Sequence, residues 1–136
     1  MEPVVELPDA ELVLVEALSS LIPAHLVTWE LPKGERFDQI LATKAIIDVT
    51  RIGGSVKYRK AWDEPYVDFD VYALSKTQAS DVMKLVRKFV ESLKNSSHDS
   101  AVIGGVYEEA GPVTRPESNP AVTRVGCTYR FMIRPN

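Results

Sequence analysis

The stretch "YVDFDVYALSKTQASDVMKLVRKFVESL" (Tyr66–Leu93) decides the fold, because its apolar period changes partway along. Over its first eight residues Val67, Phe69, Val71 and Ala73 point one way, and Tyr66, Asp68, Asp70 and Tyr72 point the other. That alternation is a strand with one face on a core. From Ser75 the period lengthens. Ser75 and Gln78 form a Ser-x-x-Gln capping box, and Ala79, Val82, Met83, Val86, Phe89, Val90 and Leu93 trace one helical stripe. The pattern predicts a strand running straight into a helix at about 76–94 that lies back on the strand's apolar side.

The flanking segments extend this unit. "NSSHDS" (95–100) reads as a surface turn, and "AVIGGVYEEAG" (101–111) as a strand interrupted by Gly104-Gly105. "GPVTRPESNPAV" (111–122) carries Pro112, Pro116 and Pro120, which predicts an extended loop with little regular structure. In "TRVGCTYRFMIR" (123–134) Val125, Cys127, Tyr129, Phe131 and Ile133 share one face; Arg124, Thr128, Arg130, Met132 and Arg134 share the other. Upstream, Asp9 is an N-cap for a helix at about 10–22 that Pro23 stops. "HLVTWEL" reads as a short strand, and residues 32–43 as a loop with one helical turn around Phe37–Leu41. A strand follows at about 44–52, then Gly53-Gly54 as a turn or bulge; "SVKYRKAW" is a short partner strand or part of a long hairpin. The expected fold is α+β: a mostly antiparallel sheet with two helices packed on one face and a polar opposite face. Residues 1–136 form one domain with 1–8 as an N-terminal extension.

Composition bounds the function. A formal net charge of −3 with no strongly basic segment argues against a general grip on nucleic acid, which needs many Lys/Arg–phosphate contacts. The single cysteine, Cys127, permits no intrachain disulfide. The N-terminus is acidic and carries Pro3 and Pro8, unlike a signal peptide, and no apolar run is long enough for a membrane span.

Candidate chemistry centres on Asp68 and Asp70. Carboxylates at i and i+2 of a strand have Cα atoms about 6.5–7 Å apart, a spacing compatible with a metal bridge or an acid/base pair. A metal-dependent nuclease would need a further carboxylate, and Asp48 is available if its strand is a neighbour. Against this, Arg124, Arg130 and Arg134 lie on the polar face of another strand, which makes the acids and arginines cross-strand or cross-subunit partners. The structural reading is favoured, with no catalytic residue, metal or cofactor. His25 and His98 without a cysteine cluster make a poor zinc site. Cys127 faces the apolar side as a small buried hydrophobe. Arg51, Lys57, Arg59 and Lys60 form a basic hairpin, read either as a solvated surface or as an interface or DNA-proximal surface. Trp29 and Trp62 are core or interface anchors.

Four segments together resemble the tail terminator family of long-tailed bacteriophages, in the branch common in phages of actinobacteria. They are the first helix ending in "SSLIP", the strand ending in "VTRIGG", "DEPYVDFDVYA" running into a capped helix, and the closing "EEAGPVTRPESNPAVTRVGCTYRFMIR". The resemblance covers most of residues 10–134 and is least close over 32–43. It implies a structural virion protein, not an enzyme. Such a protein forms a ring, usually a hexamer, on the head-proximal end of the tail tube. It would end tube polymerisation and join the tail to the head connector. The implied partners are its own copies, the major tail tube protein and the head–tail connector protein. DNA passes through the channel without specific binding, and no membrane is involved. Asp68, Asp70, Arg124, Arg130 and Arg134 would then line a subunit interface or the channel. Pro112, Arg115, Pro116, Glu117 and Pro120 would form a docking loop. Another head–tail connector ring, such as a stopper, is the alternative of the same class.

Overall fold

A computed structural model describes residues 6–57 and 61–136. The order is α1 (Ala10–Leu21), β1 (Leu26–Thr28), α2 (Glu35–Leu41), β2 (Ile46–Lys57), β3 (Trp62–Ala73), α3 (Lys76–Ser92), β4 (Ser96–Ser97), β5 (Ala101–Arg115) and β6 (Thr123–Pro135). One six-stranded sheet has the order β1-β2-β3-β6-β5-β4. β1 pairs parallel to β2, and every other pair is antiparallel.

The deciding stretch folds as its pattern dictates. Gln78 N–H donates to Ser75 Oγ at 3.1 Å, capping α3, and Ala79, Val82, Met83, Val86 and Val90 are buried. α1 is capped in the same way, with Leu12 N–H donating to Asp9 Oδ1, and buries Val13, Leu14 and Leu18. Both helices cover the face carrying Val67, Phe69, Val71, Cys127, Tyr129, Phe131 and Ile133. Phe69 meets Tyr129 and Phe131 edge-on, at 5.9 and 6.0 Å between ring centroids. Each such side chain contributes roughly 1.5–3 kcal/mol by leaving water.

Three expectations are corrected. Residues 35–41 form a helix rather than a single turn. This third helix lies on the opposite, polar face, where Leu41, Phe37 and Ile40 pack with Ile46, Tyr72 and Val122. Helices therefore cover both faces of the sheet, not one. The expected loop 111–122 is strand in its first part: β5 continues to Arg115, and residues 116–122 connect it to β6. Pro112 is tolerated because it sits in an exposed outer strand where the register slips between Ala110 and Val113. Lastly, "NSSHDS" contains β4, a two-residue strand pairing with Val102 and Ile103.

The long-hairpin alternative for 46–73 holds. β2 and β3 pair from Ile46↔Tyr72 to Lys57↔Trp62, with a bulge between Arg51 and Gly53. Gly54 has φ +98°, and a side chain there would strike the backbone of Glu64 and Pro65, so glycine is required. Gly104-Gly105 marks a second bulge, within a continuous β5.

Candidate functional site

The uncovered part of the polar face is organised by the register. Asp48, Asp70, Gly126 and Val113 lie in one row across β2, β3, β6 and β5, and Thr50, Asp68, Thr128 and Ala110 lie in the next. Gly126 is the gap in this surface. A side chain there would collide with the Asp70 carboxylate and the Arg115 guanidinium. Through that gap Arg115 reaches from β5 across β6 to β3. Its Nη1 donates to Asp68 Oδ2 and Asp70 Oδ1, each at 3.0 Å. Arg124 Nε donates to Asp70 Oδ1 at 3.1 Å, and its guanidinium lies over the Tyr72 ring. Thr128 Oγ1 donates to Asp68 Oδ1 at 2.5 Å. Asp70 is only 3% exposed, although no helix covers it; its two arginines are its cover.

Asp48 stands directly opposite Asp70. Burial, and then the neighbouring Asp70 charge, push its carboxyl up to about 6. Thr50 Oγ1 lies 3.4 Å from Asp48 Oδ2, while Asp48 Oδ1 is buried without a partner among the described residues. The three aspartates share this face, with Asp48 opposite Asp70 and Asp68 one row on. Two arginines occupy the space between them, however, and the Asp68 and Asp70 oxygens already accept N–H and O–H donors. Among the described residues no His/Cys/Asp/Glu group is arranged to hold a metal ion.

The face continues in a second group. Arg130 donates from Nε to Glu109 at 2.7 Å and from Nη1 to Glu64 at 3.1 Å, and it stacks over Tyr107 at 4.3 Å. Arg134 lies over Trp62, which itself packs against Gly104. The five expected face residues do share one surface, but in three clusters rather than one. Of the basic hairpin, Arg51 is neutralised by a bidentate pair with Asp63, at 2.5 and 2.8 Å. Lys57 is exposed, and Arg59 and Lys60 lie outside the described residues.

Arg115 was expected in a docking loop; it is instead the hub of the Asp68/Asp70 cluster. The connecting turn keeps Pro116, Glu117 and Pro120. It is held by Asn119 Oδ1, which accepts Ala121 N–H, and by Ser118 N–H donating to Glu117. Sequence reasoning missed Glu64 and Glu109, and it placed Thr128 on the polar face without its bond to Asp68. The available signal was Gly126, a residue without a side chain in the middle of an alternating strand.

The remaining candidates are structural. His25 Nδ1 accepts Ala45 N–H at 3.0 Å, tying the α1–β1 turn to β2, and burial lowers its pKa. His98 hydrogen-bonds Ser96 Oγ beside β4. Burial pushes the Cys127 thiol up to about 12, far from the thiolate a nucleophile requires. Among the described residues no helix is long and apolar enough to cross a membrane.

Comparison with known proteins gives the chain a family. A family described as phage tail termination protein matches residues 6–136. No curated protein matches the sequence.

Proposed function

This chain belongs to the phage tail termination protein family, and from that premise we propose that it forms the ring that closes the head-proximal end of a tail tube. The family is one of structural phage tail proteins rather than enzymes, so the chain is a virion tail component that associates with other tail proteins. In the reading proposed here, the virion is of the long-tailed kind and six copies meet head to tail in a heterologous contact. The ring stops tube polymerisation, seats on the major tail tube protein and receives the head–tail connector. The observation that carries this reading is the match over residues 6–136, joined to a polar sheet face whose acids and arginines neutralise one another.

Asp68, Asp70, Arg124, Arg130 and Arg134 belong to a surface stiffened by ion pairs, suited to a channel wall or a subunit contact. A wall of closed ion pairs offers DNA phosphates few free cations, so DNA slides past without being held. The turn bearing Pro116, Glu117 and Pro120 is the segment proposed to dock a neighbouring ring. Gold-labelled antibody against the chain should mark one position per virion, at the head-proximal end of the tail. Label at the distal tip, or along the whole tube, would contradict the assignment.

A further inference from the structure

The sheet leaves two strand edges unpaired among the described residues. On one side β1 pairs with β2 only over Ile46–Asp48, and Glu11 of α1 accepts Arg51 N–H at 2.8 Å. Beyond that point Ile52–Lys57 has no neighbour on its outer side among the described residues. On the other side β4 pairs with β5 only at Val102 and Ile103, leaving Tyr107–Thr114 without an outer neighbour among the described residues. Both stretches are exposed throughout, whereas Val67, Phe69, Tyr129 and Phe131 in the inner strands are buried. Ile52 and Val113, each 55% exposed, are the most exposed large apolar side chains described, and Val56 and Tyr107 flank them. An open edge lined with β-branched and aromatic residues is a template for strand addition.

We infer that the β5 edge of one copy pairs with the β2 edge of the next, so that the sheets of successive copies join into one closed barrel. This rests on the ring reading above and names its subunit contact. Strand direction supports it. β2, β3, β6 and β5 are antiparallel in succession, so β2 and β5 run oppositely at the two ends of a four-strand run. A rotation about an axis along the strands therefore sets β5 antiparallel to the next β2, continuing the alternation without a break.

Charge does not oppose the join: Glu108 and Glu109 on the β5 edge are already paired with Arg87 and Arg130, and Lys57 on the β2 edge is exposed. The blocking strands agree with it. In the register Gly53 is level with Tyr107, so the free part of β2 extends past the free part of β5 towards the β4 end. The join is therefore staggered, and a repeated stagger tilts the strands as barrel closure requires. The slips in β5 near Glu109 and Pro112 divide its edge into short segments, which restricts pairing to one register and blocks open-ended aggregation. With α1 and α3 outside, the barrel turns the Asp68–Asp70–Arg115–Arg124 surface inward, as the channel wall.

The test uses Ile52→Cys, Val113→Cys and the double variant, treated with a short flexible bis-maleimide in assembled tails. Cys127 is buried and unreactive, so it stays in place. The double variant should give a covalent ladder from dimer up to the full ring, and each single variant should stay monomeric. A single variant that cross-links to a dimer shows an edge meeting its own copy and overturns the inference. So does a double variant without a ladder in tails of normal length, an outcome that leaves the terminator reading intact. Failure of that reading has a separate sign: wild-type chain absent from the tail end.

Discussion

Asp70 is the residue on which the polar face turns. It is nearly fully buried and holds two guanidinium groups, whereas Asp68 is more exposed and shares one arginine with it. Removing one member of a buried ion pair strands its partners, so Asp70→Asn should cost about 3 kcal/mol. Asp68→Asn should cost about 1 kcal/mol, in the range of exposed pairs. Urea unfolding checks the order, and a larger loss for Asp68 would contradict it. Gly126→Ala should also destabilise, because the added methyl displaces Arg115 from its acids. Asp48 supplies the pH dependence. Its folded pKa of about 6 lies above the ordinary 3.8, so the folded chain binds more protons than the unfolded chain between those values. Stability contributed at this position therefore falls as pH rises from about 4 to about 6. Asp48→Asn should raise stability at pH 7 by on the order of 1 kcal/mol, after discounting for partial solvent screening. It should leave stability near pH 4 unchanged. Destabilisation at pH 7 would show that the Asp48 charge is compensated after all.

At the scale of elements, α3 and the strand before it were legible because two periods and a cap agree on one answer. Ser75→Ala should remove that cap at a cost of about 1 kcal/mol, read as a lower urea midpoint with an unchanged slope. The core faces of β3 and β6 were equally legible, since burial enforces alternation. α2 was not, because a seven-residue helix carries too short a stripe to separate from a turn. Its place on the polar face follows from Tyr72, a residue of the polar alternation whose ring packs edge-on against Phe37. β5 was cut short because Pro112 and Gly111 read as loop residues, and only its place at the sheet's outer side makes them tolerable in a strand. That error carried Arg115 away from the acids it bridges. The acids themselves were found, and so was Arg124, because single-strand alternation shows which residues share a face. Reach across two strands depends on register, which alternation does not encode.

At the scale of the molecule, the ion-paired face and the two unpaired strand edges are what the proposed ring would use. Replacing Glu117–Pro120 with a short glycine-containing turn should leave a folded protein that still ends tails but joins heads poorly. Normal infectivity after that change would remove the docking role from the turn. The central claim is that this chain stops tube growth, and tail length in a phage lacking it tests that claim most directly. Electron microscopy of such lysates should show headless tubes of uncontrolled length, with defined length and head attachment restored when the chain is supplied. Tails of normal length, joined to heads in its absence, would contradict the account.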